Sequence, residues 1–427
     1  MACAPNFASL PNELKISIFS YIRLKKEQAA VCLVSRDCKQ IMAPQMWFSL
    51  DLTPTTMSTA KTMALLDPDN CILHHVRGIL VYHGPRESLR RHSQEFESAI
   101  QLIITALPRD TLLSFCTYMN FDPGFLLNLL RHQRALDRLE IPTRLSVKNP
   151  LIDLQVSAHA SWASAALREL RTLQVHVGSV DCAHENSAYL LRNSPKLRQL
   201  SIMPEEPLGL TGSYTETSLS SSKGCDAFGG PFADGVVVQP LQLTHLQLRI
   251  LDLKLPRPET ILAYINFSGL RSLSIDDCGH VGPFLTALAA QFSQNCNLIG
   301  LEIVLRGYEI TPDEDVRLIE DVLMSCSNLQ RLWICTGQAR MVHTRYIVRH
   351  GSTLRKLGLS FNPEGSTYYS AQDLSLILSS APYLEQLAVH VSPIEMGSSQ
   401  SLGTEFTLTI PGSYDVPNAL EAFLVGS

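Results

Sequence analysis

The chain has 427 residues, of which 45% are hydrophobic and 18% charged, with a net charge of −5. A charged share below the usual quarter and a slightly acidic balance exclude the basic face that generic nucleic-acid binding requires. The 11 cysteines are odd in number and unpaired at short spacing, the opening MACAPNFASLP lacks the basic and apolar regions of a secretory leader, and no apolar run reaches membrane-span length. Free thiols in an intracellular compartment, cytoplasmic, nuclear or both, are therefore expected.

Residues 9–52 predict three short helices. Pro11 suits a first helical position, where its missing N–H has no partner to lose, and Glu13 follows in the first turn, favoured by the helix dipole. Leu14, Ile18 and Ile22 recur at i, i+4, i+8 as one apolar stripe, with Phe19 beside it. A second helix fits Glu27–Leu33. Ser35 can cap a third, running through Cys38, Ile41 and Met42 and stopping before Pro44. Three helices this short bury little surface alone, so the segment needs a neighbour.

In order, spacing and residue type, this segment resembles the F-box motif, most closely its fungal version. The match rests on Leu10-Pro11, Glu13-Leu14, Ile18-Phe19, Tyr21-Ile22, Leu33-Val34-Ser35-Arg36, Pro44 and Trp47, followed by Leu50 and Leu52. The charged stretch 23–28 departs from it, where many members carry Pro or Asp. The resemblance implies docking on a Skp-family adaptor that links the chain to a cullin ubiquitin ligase. It makes Leu10, Pro11, Leu14, Ile18, Phe19, Val34, Pro44 and Trp47 candidate adaptor contacts. The alternative is that these side chains only pack the three helices against the rest of the chain.

Residues 53–110 read as a linker and a first irregular repeat region, with a weak unit at Val76/Ile79/Val81; Leu112/Phe115 opens the next stretch. From there a Leu-x-x-Leu-x-Leu/Ile/Val pattern recurs. It is found at Leu136, Leu170, Leu197, Leu243, Leu270, Leu298, Leu329, Leu354 and Leu384. From Leu243 onward the starts are 27, 28, 31, 25 and 30 residues apart. This unit resembles a leucine-rich repeat, whose first leucine enters a short strand and whose later two point inward. The long spacing leaves room for return helices, legible at Pro283–Ser293, Asp313–Ser325, Thr344–His350 and Ala371–Ser379. Cys278, Cys296, Cys326 and the Ile310-Thr311-x-Asp313 turn resemble the cysteine-containing subtype. No zinc spacing accompanies these cysteines, so they read as small apolar interior residues.

The fold class expected is thus α/β: an N-terminal three-helix F-box at 1–52, then a leucine-rich-repeat solenoid at 111–427 with parallel strands on the concave side and helices on the convex side. An insertion at 203–242, rich in Ser, Thr, Gly and Pro, stretches one repeat to 46 residues and reads as a flexible loop. Thr215, Thr217 and Ser220 are its candidate phosphosites, with a tolerated loop of no role as the alternative. A last apolar unit at Leu420/Phe423/Val425 leaves the array without an obvious polar cap.

Positions between the buried leucines face out of such a strand layer. They read Gln199/Ser201, His245/Gln247, Ser272/Ser274, Gly300/Glu302, Arg331/Trp333, Lys356/Gly358 and Gln386/Ala388. Arg331 and Trp333 stand out, because Trp and Arg are enriched at binding hot spots. Trp333 is the expected anchor of a protein substrate, with Arg331, Lys356 and Glu302 beside it reading acidic or polar groups; packing at the core or an edge is the alternative for Trp333. No catalytic motif, phosphate loop or dinucleotide fingerprint is present, and His74, His75, His159, His176 and His390 are isolated. The expectation is a non-catalytic substrate receptor of a cullin ligase, with no cofactor, metal, nucleic acid or membrane. The alternatives are a repeat scaffold without the adaptor and an adaptor-bound protein outside a ligase.

Overall fold

A computed structural model describes residues 7–54, 57–81, 86–119, 121, 123–142, 160–177, 189–204, 240–251, 253, 265–305, 312–336, 340–360, 369–391 and 404–409. These form two compact units that part between Arg171 and Thr172.

The first unit begins with α1 (Asn12–Phe19), α2 (Lys25–Cys32) and α3 (Arg36–Met46). Pro11 sits one residue ahead of α1, in extended conformation, and its carbonyl accepts the Lys15 N–H at 3.1 Å. The Ser35 hydroxyl caps α3 by accepting the Cys38 N–H at 3.1 Å, as its sequence suggests. The expected stop before Pro44 is not observed. Pro44 lies inside α3, exposed, and costs the helix one donor, while the Trp47 N–H still reaches the Ala43 carbonyl at 3.0 Å beyond it. The segment's core is small: Phe19, Cys38 and Met42, backed by Ile22, Val31, Cys32 and Ile41. The Lys25 ammonium anchors α2 to the chain beyond α3, donating to the Ser49 carbonyl at 3.0 Å and to Asp51 at 2.8 Å.

Next come β1 (Ser49–Leu52), α4 (Thr59–Leu66), α5 (Ile72–His75), β2 (Gly78–Val81), α6 (Arg86–Ala106), β3 (Ser114–Thr117), α7 (Pro123–His132), β4 (Arg138–Pro142) and α8 (Ala160–Leu167). The strands are parallel and paired in chain order, so that Leu50, Ile79, Phe115 and Leu139 stand in one buried row. Leu50 and Leu52, read from sequence as the tail of the helical motif, thus begin this ladder. On α6, Phe96, Ile100, Ile103 and Ile104 recur at helical spacing and are all buried, as is Leu107 just beyond it.

The second unit carries β5 (Thr172–Val177), β6 (Gln199–Pro204), β7 (His245–Arg249), β8 (Ser272–Asp276), β9 (Gly300–Val304), β10 (Arg331–Cys335), β11 (Lys356–Ser360), β12 (Gln386–Val391) and β13 (Thr404–Thr409). From β5 to β12 every pairing is parallel and sequential. Helices α9 (Val281–Gln294), α10 (Pro312–Ser325), α11 (Thr344–Val348) and α12 (Ala371–Ser380) fill four return legs and pack in succession, α9 on α10, α10 on α11 and α11 on α12. They match the four expected helices to within two residues at each end.

The repeat motif explains the register. Its second leucine forms one buried row, Leu173, Leu200, Leu246, Leu273, Leu301, Leu332, Leu357 and Leu387. The third position forms the next. The first leucine lies two residues before the strand rather than in it, as with Leu298, Leu329 and Leu354, each fully buried. At that corner two successive N–H groups share one carbonyl of the preceding repeat. Gln330 and Arg331 donate to Ile299, and Arg355 and Lys356 to Gln330. The same double bond recurs from Arg198 to Arg355, which keeps the backbone paired where the chain turns into each strand.

Beyond β12 the ladder changes direction: β13 pairs with it antiparallel, Leu387 opposite Leu408 and Val389 opposite Phe406. The free edge of β12 is thereby covered, by a strand that the leucine spacing did not reveal. The expected unit at Leu420/Phe423/Val425 and most of the 203–242 insertion, with Thr215, Thr217 and Ser220, lie outside the described residues. Among the described residues no helix is long and apolar enough to cross a membrane.

Candidate functional site

Strand β10 alternates over its first four residues: Leu332 and Ile334 point into the core, Arg331 and Trp333 point out. Parallel pairing then fixes the neighbours. Arg331 stands between Gly300 and Lys356, and Trp333 between Glu302 and Gly358. The four residues singled out from sequence are therefore brought together, on three adjacent strands, by register alone. With Ser272, Gln386 and Ala388 they line an open cavity of about 290 Å³.

Two glycines shape it. A Cβ at position 358 would lie 2.0 Å from the Trp333 ring, so the indole rests on bare backbone of β11. A Cβ at position 300 would lie 3.1 Å from an Arg331 guanidinium nitrogen, so that side chain leans the other way, over β9. Trp333 packs against Gly358 and remains 37% exposed. Gly300, Gly358, Ala388 and Ser274 were read from sequence as outward positions but not as part of the site. The signal was nonetheless present, since a glycine occupies the same strand position as a bulky residue in the adjoining repeat.

The charges around this cavity are only partly matched. Ser274 donates its hydroxyl to Glu302 at 2.9 Å, drawing that carboxylate toward β8. Among the described residues neither Arg331 nor Lys356 has a carboxylate within ion-pair distance, although six such pairs form elsewhere among them. His245 lies in the same outward row as Arg331. Partial burial and the charges of Arg331 and Arg271 push its pKa below the usual histidine value, so it is neutral near pH 7. Uncharged His245 adds no positive charge beside Arg331.

In the N-terminal segment the helix faces divide differently from the sequence stripe. Lys15 and Phe19 form the buried face of α1, whereas Leu14 is 51% and Ile18 44% exposed. Phe19, at 5%, therefore belongs to the core and is not a surface residue; its ring meets that of Phe7 at 5.5 Å. Between α2 and α3, Leu33 and Val34 are 88% and 74% exposed. Pro11 and Pro44 are exposed, and Leu10 and Trp47 half-buried. Tyr21 and Leu24 add two more outward apolar side chains that were not among the candidates.

The cysteines divide in chemistry. Burial pushes the Cys278 thiol up to about 12, which suits an inert interior residue. Cys296 and Cys326 occupy the same place in successive repeats and share a hydrogen bond; that bond holds the half-buried Cys296 thiol below its usual value and raises Cys326. Among the described residues no cluster of three or more His, Cys, Asp or Glu could hold a metal ion. No protein-family model matches the chain, and no curated protein matches it in sequence.

Proposed function

We propose that this protein is a substrate-recognition subunit of a cullin ubiquitin ligase. Its first 52 residues act as an F-box on a Skp-family adaptor, and its strand ladder is a leucine-rich-repeat array that captures a protein substrate. The observation that carries the reading is the outward placement of Leu14, Ile18, Leu33 and Val34 on a segment whose own core is three side chains. Burying one such side chain is worth about 1.5–3 kcal/mol, so several left in water on one small segment favour a partner that covers them. Short helices that show apolar residues are suited to docking on another helical surface. In this role the chain does no bond chemistry. It contributes proximity, holding a substrate lysine near a ubiquitin carrier.

The test is co-purification of the full chain with a Skp-family adaptor and a cullin, beside a Leu14→Ser/Val34→Ser variant. Adaptor and cullin should follow the native chain, and the variant should lose both while melting at the same temperature. Adaptor without cullin would move the protein outside a ligase. No adaptor on well-folded native chain would leave a repeat scaffold as the better reading.

A further inference from the structure

The outward face of β9 to β12 holds more information than a generic binding surface. Arg331 and Lys356 are register partners on strands about 4.8 Å apart, and among the described residues neither has a carboxylate within ion-pair distance. Two unpaired cations at one strand level leave a positive potential that a single anionic group can satisfy. One level further along lies the Trp333 indole, flat on Gly358 and flanked by Ala388, with apolar ring surface open to solvent. On the other flank, Glu302 opposes a second anion. The cavity, at about 290 Å³, sits below the roughly 300–1,000 Å³ usual for organic ligands, and it is open enough for side chains of a chain lying across it.

We infer that this groove takes an extended peptide carrying one acidic group with an aliphatic or aromatic side chain close by, the acid between Arg331 and Lys356 and the apolar side chain on Trp333. Glu302 sets the charge pattern, disfavouring a run of acids and accepting a neutral or basic neighbour. The anion is a carboxylate or a phosphate; both satisfy the same two cations. This inference rests on the substrate-binding role of the strand ladder proposed above and is independent of the adaptor role of the N-terminal helices.

The experiment is a binding titration of the full chain with soluble nonapeptides on a Gly/Ser background. One position is Asp, phosphoserine, Lys or Gly, and a nearby position Leu, Phe or Gly. Adaptor co-purification is run on the same preparations. Peptides with an acid and Leu or Phe should bind at least about tenfold more tightly than the Gly/Gly peptide. Trp333→Ala should erase the dependence on Leu or Phe, and Arg331→Gln or Lys356→Gln the preference for the acid, with native melting temperatures. Glu302→Gln should improve binding of a two-acid peptide. Asp ahead of phosphoserine identifies a carboxylate ligand; phosphoserine ahead identifies a phosphorylated one. Binding by no peptide, equal binding of Lys and acid, or an acid preference that survives Arg331→Gln/Lys356→Gln would overturn the inference. Those failures leave adaptor binding intact, whereas loss of adaptor binding with the peptide preference retained would overturn only the ligase reading.

Discussion

The N-terminal helices and the β5–β12 ladder spend their apolar residues in opposite ways. In the ladder, leucines recur at fixed register and nearly all are buried, leaving Arg, Lys, Ser, Gln and a lone Trp outside. In the helices, buried Phe19, Cys38 and Met42 coexist with exposed Leu14, Ile18, Leu33 and Val34. The ladder buries its apolar rows within itself, which leaves its surface free to specialise. The helices leave several apolar side chains in water, and under the proposed function that surface is where a partner would bury them. Stability and recognition should therefore respond to opposite mutations in the two regions.

The largest effect should come from the ladder's interior. Leu301 is buried between Leu273 and Leu332 in one register row. Leu301→Ala should cost about 3 kcal/mol, from lost transfer and an unfilled cavity, read as a fall in the urea midpoint. Because each repeat packs only on its neighbours, amide exchange should quicken first in β8 to β10. A midpoint unchanged by Leu301→Ala would remove the contrast at its root.

A smaller loss should follow from the return legs. Glu320 on α10 is buried, accepts from the two terminal guanidinium nitrogens of Arg340 at 2.9 and 2.8 Å, and accepts the His343 N–H at 2.9 Å. Burial alone would raise its pKa, but Arg340 and that N–H hold it below the usual value. Glu320→Gln should cost about 2 kcal/mol, less than a fully buried pair because Arg340 keeps access to water.

Acid should act on the same region in two steps. His350 is buried, with Nε2 on the Leu323 carbonyl at 3.1 Å, and burial lowers its pKa from 6.5. A base with a lowered folded pKa is held neutral, so the unfolded chain binds more protons and stability falls as pH drops below 6.5. The lowered Glu320 pKa adds stability that is complete above 4.5 and is lost as pH falls through its folded value. Melting temperature should thus decline from pH 6.5 downward and again below 4.5. His350→Gln should shrink the first step, to which His75 and His245 also contribute, and Glu320→Gln the second, to which Asp373 also contributes.

How far this was legible in the sequence follows from which physics each element obeys. The leucine rows and four return helices could be read directly, because period-two burial and helical spacing leave their own patterns. The grouping of Arg331, Trp333, Glu302 and Lys356 also followed from repeat alignment, since parallel register repeats that alignment in space. The tilt of the two side chains did not, because it depends on Gly300 and Gly358 in the flanking strands. β13 escaped because it carries no leucine motif and pairs antiparallel. On α1, amphipathic spacing identified Leu14 and Ile18 as one stripe but could not tell a stripe that meets the core from one that meets solvent. In a unit this small, Phe19 and the stem of Lys15 took the interior.

The smallest expected change in stability is therefore the most decisive. Leu33→Ser/Val34→Ser places polar side chains where water already has access, so the melting temperature should move by no more than about 0.5 kcal/mol in equivalent free energy. If the two side chains instead packed the helices in place, the cost would approach that of a buried large-to-small change, about 2 kcal/mol or more for each. Adaptor capture should fall in the first case, because every apolar group removed from a docking surface forfeits burial that the free protein never had. A stable variant that still binds the adaptor would show that the docking surface lies elsewhere on the helices, at Leu14 and Ile18. A stable variant that no longer binds would make Leu33 and Val34 part of it.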